Sequence, residues 1–213
     1  MKILVFIQTN DEKINTNSLE SLVAAQQMAQ QISGEVHAIV FDNNIANELS
    51  NYNLDSIISV ENSELQSYNP MYYLKALELI YKENNPDFFI FGHSYETRDW
   101  VPRLSARLNI PFISDCTNFD KDLNFIRPIF QAKLNEKISL NKKGIISFQS
   151  GSYSKDNLLT GSSQINKLNF DFSGIDSNVR PGEKFRESAN EVDLTTAEII
   201  VSIGRGIAKE ENI

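Results

Sequence analysis

Cysteine is nearly absent from this chain: Cys116 is the only one. A single thiol excludes an intrachain disulfide framework and fits a reducing compartment. Set between Asp115 and Thr117, it reads as a structural residue rather than a nucleophile. Histidine is almost as scarce. His37 and His93, with one cysteine, fall short of a metal-ligand cluster. Long hydrophobic runs are missing too. The apolar opening at residues 3–7 is too short for a signal-peptide core and no cleavage site follows it. No window approaches the ~20 apolar residues of a membrane span, so no membrane insertion is expected and the cytoplasm is the default compartment. Positive charge is also in deficit, with 20 basic against 28 acidic residues and a net charge of −8. An acidic surface repels phosphate backbones and anionic lipid, which argues against nucleic acid as a partner.

What is present suffices for a globular core. Hydrophobic residues make up 41% of the chain and charged residues 23%. A length of 213 residues accommodates one ordinary α/β domain, or one domain and a fragment of a second.

Short apolar runs alternate with helical spacing through the first half. Strands are expected at 3–7, 36–41, 56–60, 88–91 and 111–116. Between the first two, Asn17 or Ser18 caps a helix whose inner face is Leu19, Leu22, Val23, Gln26 and Ala29; Gly34 ends it in the left-handed conformation. Ile45, Leu49 and Tyr52 mark a short helix. Pro70 opens another, burying Tyr73, Leu74, Leu77 and Ile80. Residues 97–108 form a fourth, with Trp100, Leu104 and Leu108 on one side and Pro102 at its first turn or at a kink. This alternation predicts an α/β, Rossmann-like, mostly parallel sheet flanked by helices.

The pattern then changes. Residues 123–130, 133–140 and 144–148 read as an antiparallel strand meander added to that sheet. Residues 150–163, rich in Ser, Gly, Asn and Lys, read as a mobile loop, with further strands at 167–172 and 185–187. A new apolar run at 198–203 is followed at once by Gly204-Arg205-Gly206. Strand then glycine turn is how a second α/β unit begins. Two domains are therefore expected: 1–190, an α/β domain, and 191–213, the linker and first strand and turn of an incomplete second domain.

Few motifs carry chemistry. The glycines of Gly204-Arg205-Gly206 let a backbone approach a ligand closely, and the arginine can bond a phosphate or a carbonyl-rich ring; a plain structural turn is the other reading. Gly92-His93-Ser94 closes a buried strand, where doubly wound sheets place ligands, although a satisfied loop histidine is the simpler assignment. A Ser-His-Asp set can be drawn from Ser94 or Ser114, His93 and Asp115, yet no Gly-x-Ser-x-Gly elbow is present. Ser150-Gly151-Ser152 and Gly161-Ser162-Ser163 lack the lysine of a phosphate loop.

Three separated stretches carry a family resemblance. Trp100-Val101-Pro102-Arg103-Leu104-Ser105-Ala106-Arg107-Leu108, followed by Ile113-Ser114-Asp115, resembles the Pro-Arg helix and Ser-Asp pair of electron-transfer flavoprotein alpha subunits. Phe125-Ile126-Arg127-Pro128-Ile129-Phe130-Gln131-Ala132-Lys133 is similar to that family's Arg-Pro stretch. Asp193-Leu194, Ala197, Ile200-Val201-Ser202-Ile203-Gly204-Arg205-Gly206 and Glu211-Asn212 resemble its Asp-Leu, Ala, Val-Val-Ser-Gly-Gly-Arg-Gly and Glu-Asn sequence, with Ile203 where the family usually has glycine.

The resemblance implies a nucleotide-binding-like first domain that contacts a beta subunit and a second, cut off at its start here, that holds FAD. Gly204, Arg205 and Gly206 become FAD contacts, the arginine lying against the flavin. The implied role is electron carriage in a heterodimer, from flavin dehydrogenases such as acyl-CoA dehydrogenases to a quinone oxidoreductase of the respiratory chain, with no chemistry on a substrate. Two other readings stand beside it. One is a non-redox interaction module that docks the beta subunit without FAD; the other is a small-nucleotide-binding domain, which no phosphate loop supports.

Overall fold

The structure, a computed structural model, describes residues 1–10, 13–140, 143–175, 177–182, 199–207, 209 and 211. The chain divides into two compact units, Met1–Pro181 and Gly182–Ile213. The first opens with β1 (Lys2–Phe6), a small hairpin of β2 (Thr9–Asn10) and β3 (Lys13–Ile14), and α1 (Thr16–Ile32). Then follow β4 (Glu35–Val40), α2 (Asn43–Leu49), β5 (Ser56–Val60), α3 (Pro70–Asn84), β6 (Phe88–Gly92), α4 (Tyr95–Leu108) and β7 (Phe112–Cys116). β8 (Asn118–Phe119), β9 (Asn124–Ile129), β10 (Leu134–Ser139), β11 (Gly144–Phe148) and β12 (Ile165–Leu168) complete it.

Seven strands form one sheet in the order β12-β5-β4-β1-β6-β11-β7, every neighbouring pair parallel. The predicted α/β class is thus observed. Side chains alternate between its faces as a strand requires. Ile3 and Val5 of β1, with Ile90 of β6, pack in the core that α1 and α2 cover. Leu4 and Phe6, with Phe89 and Phe91, pack in the core that α3 and α4 cover. Phe6, Tyr73, Phe91 and Trp100 meet there largely edge to face, Phe6 and Trp100 at 5.7 Å and 89°.

The antiparallel meander exists but is not part of this sheet. β8, β9 and β10 make a separate three-stranded sheet. The third run assigned to it, β11, instead enters the main sheet between β6 and β7. The reason is burial: Gly-Ile-Ile-Ser-Phe is buried at every position, which suits a central strand. β10 exposes alternate residues and belongs at the surface.

Helix ends differ from expectation in detail. Ser33, not Gly34, takes the left-handed turn after α1, at φ 51°. Gly34 serves a close approach instead, since a Cβ there would lie 2.9 Å from the Met1 carbonyl oxygen. α4 starts at Tyr95, with the Ser94 hydroxyl accepting from the Thr97 N–H (3.1 Å), so Pro102 lies in the helix interior rather than its first turn.

The loop at 150–163, read as mobile, is fastened at several points. Buried Glu20 accepts from the Gly151 N–H (2.7 Å). The Gln26 carboxamide accepts from Leu159 N–H (3.0 Å) and donates to Asn53 O (3.0 Å). The Ser163 hydroxyl reaches Tyr52 O (2.6 Å) and Leu54 O (2.9 Å). Polar side chains buried in α1 need partners, and the loop backbone supplies them.

The expected strand at 198–203 is not observed: residues 199–203 are irregular and exposed, and Glu198 lies outside the described residues. The expected strand at 185–187 also lies outside them. Among the described residues no helix is long and apolar enough to cross a membrane.

Trp100 is 1% exposed and is the chain's single tryptophan. Trp100→Ala should cost about 3–5 kcal/mol, read as a lower urea midpoint by circular dichroism. A loss under about 1 kcal/mol would show that the aromatic cluster does not anchor this face.

Candidate functional site

From β1 the chain builds outward through β4 and β5, then returns to place β6 on the other side of β1. At such a reversal the crossovers leave in opposite directions and a crevice opens beyond the strand ends. A cleft of about 880 Å³ lies at this end of the sheet, lined by residues that include Asn17, His93, Tyr95, Arg98, Asp115 and Gln149.

The first turn of α1 forms one wall. It comes so near β6 that a Cβ on Gly92 would stand 3.0 Å from Asn17 Cγ and 3.1 Å from its carbonyl carbon. The Asn17 carboxamide, oriented to satisfy both its atoms, accepts from His93 N–H (2.9 Å) and donates to Phe148 O (3.2 Å). It thereby ties α1 to the ends of β6 and β11.

His93 stands at the centre. Its Nδ1 is 2.9 Å from the Ser147 hydroxyl, which itself accepts from Asp115 N–H at 3.1 Å. With that hydroxyl donating to Nδ1, the ring proton sits on Nε2, toward Asp115 Oδ1 at 3.7 Å. Burial lowers the His93 pKa below its ordinary value; Asp115 opposes the shift and Arg98 adds to it. Neutral imidazole is the form at pH 7. Asp115 holds φ 62°, a left-handed backbone, where the β11–β7 register slips.

Of the Ser-His-Asp candidates, His93 and Asp115 do meet, but neither serine partners the imidazole. Ser94 Oγ donates to Gln8 Oε1 (2.6 Å), and Ser114 Oγ lies 3.5 Å from Arg127 Nη1. The hydroxyl on His93 belongs to Ser147, which is fully buried and beyond reach of a substrate. The cluster therefore positions groups and offers no nucleophile. Cys116 is equally withdrawn: burial pushes its thiol up to about 12, so it stays protonated. Among the described residues no cluster of His, Cys, Asp and Glu is placed to hold a metal.

Asn17 or Ser18 was expected to cap α1, but Asn15 is the cap, its side chain accepting from Asn17 N–H, and Asn17 and Ser18 both lie inside the helix. Arg98, Tyr95 and Ser147 were not singled out from sequence. The Arg98 guanidinium lies 5.6 Å from the centroid of the Tyr95 ring. Their spacing of three on a helix was the available signal. Ser147 carried none, because it meets His93 from the adjacent strand, 54 residues away in sequence.

Gly204, Arg205 and Gly206 lie in the second unit. Arg205–Ile207 form a single 3-10 turn, closed by Ile207 N–H to Gly204 O at 3.1 Å. A Cβ built on Gly204 or Gly206 meets nothing within 4 Å. The described residues around this turn thus form no cradle for a flavin.

The architecture defines a doubly wound parallel α/β domain with its crevice at the switch point. The chain belongs to the electron transfer flavoprotein domain family, whose model matches residues 3–173. It is 28% identical over 220 residues to the electron transfer flavoprotein subunit alpha of Bacillus subtilis (strain 168), covering 99% of this chain and 66% of that protein. It is 26% identical over 219 residues to Protein FixB of Clostridium saccharobutylicum, with the same coverage. The acryloyl-CoA reductase electron transfer subunit beta of Anaerotignum propionicum is 25% identical over 98% of the chain and 66% of its own length. The chain spans about two thirds of the length of these relatives.

Two outcomes test the cleft. Gly92→Ala should destabilise by about 1–3 kcal/mol in urea unfolding, because the added methyl meets backbone as well as side chain of Asn17. Because the His93 pKa is lowered in the folded state, the unfolded chain binds that proton first as pH falls. The associated stability is present above about pH 6.5 and is lost as pH falls through the folded value, by at most about 1.4 kcal/mol per pH unit. His93→Gln should flatten the urea midpoint between about pH 7.5 and pH 5.5; an unchanged slope would assign the proton elsewhere.

Proposed function

We propose that this chain is the leading part of an electron-carrying subunit of alpha type, working as a heterodimer with a beta subunit and with FAD as the carrier. The observation that carries this reading is the family match over residues 3–173, joined by relatives along 99% of the chain that include alpha subunits. In this reading residues 1–190 form the partner-contacting domain and 191–213 lead into the FAD domain. Electrons pass from flavin dehydrogenases, such as acyl-CoA dehydrogenases, to a quinone oxidoreductase, in the cytoplasm. The relatives' names span an acryloyl-CoA reductase and a lactate dehydrogenase, which suits a shared carrier serving different oxidoreductases.

Gly204, Arg205 and Gly206 are the proposed FAD contacts. Bound there, FAD supplies the redox chemistry. The glycines leave room for close backbone approach. A fixed guanidinium favours whichever redox state carries more negative charge, so it raises the potential as well as the affinity.

A second reading, a docking module without redox activity, is favoured by the absence of a cradle around Gly204 and Gly206 among the described residues.

Purification of the native protein with its beta subunit separates the two. The carrier reading expects flavin absorbance close to one FAD per heterodimer. Arg205→Ala should then weaken FAD binding by about tenfold, ~1.4 kcal/mol, and lower the midpoint potential. A stable heterodimer that is colourless after saturation with FAD would establish the docking module instead.

A further inference from the structure

We propose that the cleft at the switch point binds a small oxyanion carried on a flat ring, with Arg98 holding the anion and Tyr95 facing the ring. The first observation is a contrast among arginines. Arg103 is paired with Asp99 (2.9 Å), Arg107 with Glu78 (3.1 Å) and Arg127 with Glu136 (2.7 Å). Arg98, in a chain with net charge −8, makes no ion pair with any described carboxylate. It lies instead against the Tyr95 ring within the cleft lining. A guanidinium fork left open in a cleft matches the two oxygens of a phosphate or carboxylate.

The cleft's own carboxylate does not occupy that fork. Asp115 is directed at His93 Nε2. Glu96, in the first turn of α4, does not line the cleft.

The second observation is the backbone. α1 and α4 both begin at this cleft, through Asn17 and through Ser94 and Tyr95. The first turn of α1 carries no acidic residue. Two converging helix N-termini add positive potential to that of Arg98.

The third is Tyr95. Its ring is 88% exposed although it lines the cleft, so a face remains open to stack a planar group. The volume of about 880 Å³ has room for a ring together with its anionic group. Gln149 and Ser150, exposed at the cleft rim, supply hydrogen bonds to polar ring substituents.

The test uses the whole isotope-labelled chain and three probes: inorganic phosphate, phenyl phosphate and benzoate. Amide shifts are followed by NMR. Saturable shifts confined to residues 93–98, 114–115 and 149–151 are expected with phenyl phosphate or benzoate. The tighter of the two identifies a phosphate or a carboxylate as the anion. Inorganic phosphate should bind about tenfold more weakly than phenyl phosphate. Arg98→Gln should weaken binding by about tenfold or more, while Arg103→Gln, at a paired arginine, leaves it unchanged. Tyr95→Ala should remove the advantage of phenyl phosphate over phosphate. Non-saturating or scattered shifts, or undiminished binding in Arg98→Gln, would overturn the site. Equal affinity for phosphate and phenyl phosphate would overturn the ring assignment.

Discussion

Gly92 has no side chain, and α1 rests its first turn on that vacancy. The approach holds only because nothing projects from the end of β6, where a Cβ would meet Asn17 at 3.0 Å. Asn17 then spends its carboxamide on His93 and Phe148, joining a helix that follows β1 to strands on the other side of the switch. The shape of the cleft depends on this contact. Without it α1 would stand off the sheet, and the His93 N–H would lose one of the carbonyl groups that hold it.

Electrostatics in the cleft is a matter of what is spent and what is left. His93 is committed to Ser147 on one nitrogen and faces Asp115 with the other, and burial keeps it neutral. Asp115 is committed in turn, through its backbone N–H to Ser147 and its carboxylate toward the imidazole. The imidazole is uncharged, so the Asp115 carboxylate is the negative charge beside it. The guanidinium of Arg98 lies near enough to help lower the His93 pKa and sits against the Tyr95 ring. A partly buried, mutually bonded cluster beside a surface cation without an ion pair among the described residues describes a wall that positions groups, with binding rather than bond-making as its capacity.

The first unit is a finished α/β domain, with both sheet faces covered and the long loop at 150–163 fastened by Glu20, Gln26 and Ser163. The second, Gly182–Ile213, presents Ile199, Ile200, Val201 and Ile203 exposed ahead of its glycine turn.

Much of the first unit was legible from local pattern. Short apolar runs marked β1, β4, β5, β6 and β7, and four-residue spacing marked the inner faces of α1, α3 and α4, because burial selects side chains at the period of the element that carries them. His93 at a strand end was legible from the apolar run that precedes it. The tertiary structure decided which strands became neighbours. β11 reads locally like a third meander strand, and only its burial between β6 and β7 makes it parallel and central. Ser33 rather than Gly34 turns left-handed because Gly34 is needed where the Met1 carbonyl comes close. Ser147 became the partner of His93, 54 residues away, by sitting on the adjacent strand. Periodicity is written within a few consecutive residues, whereas pairing between distant strands is set by the chain's choice among competing contacts, which no local spacing records.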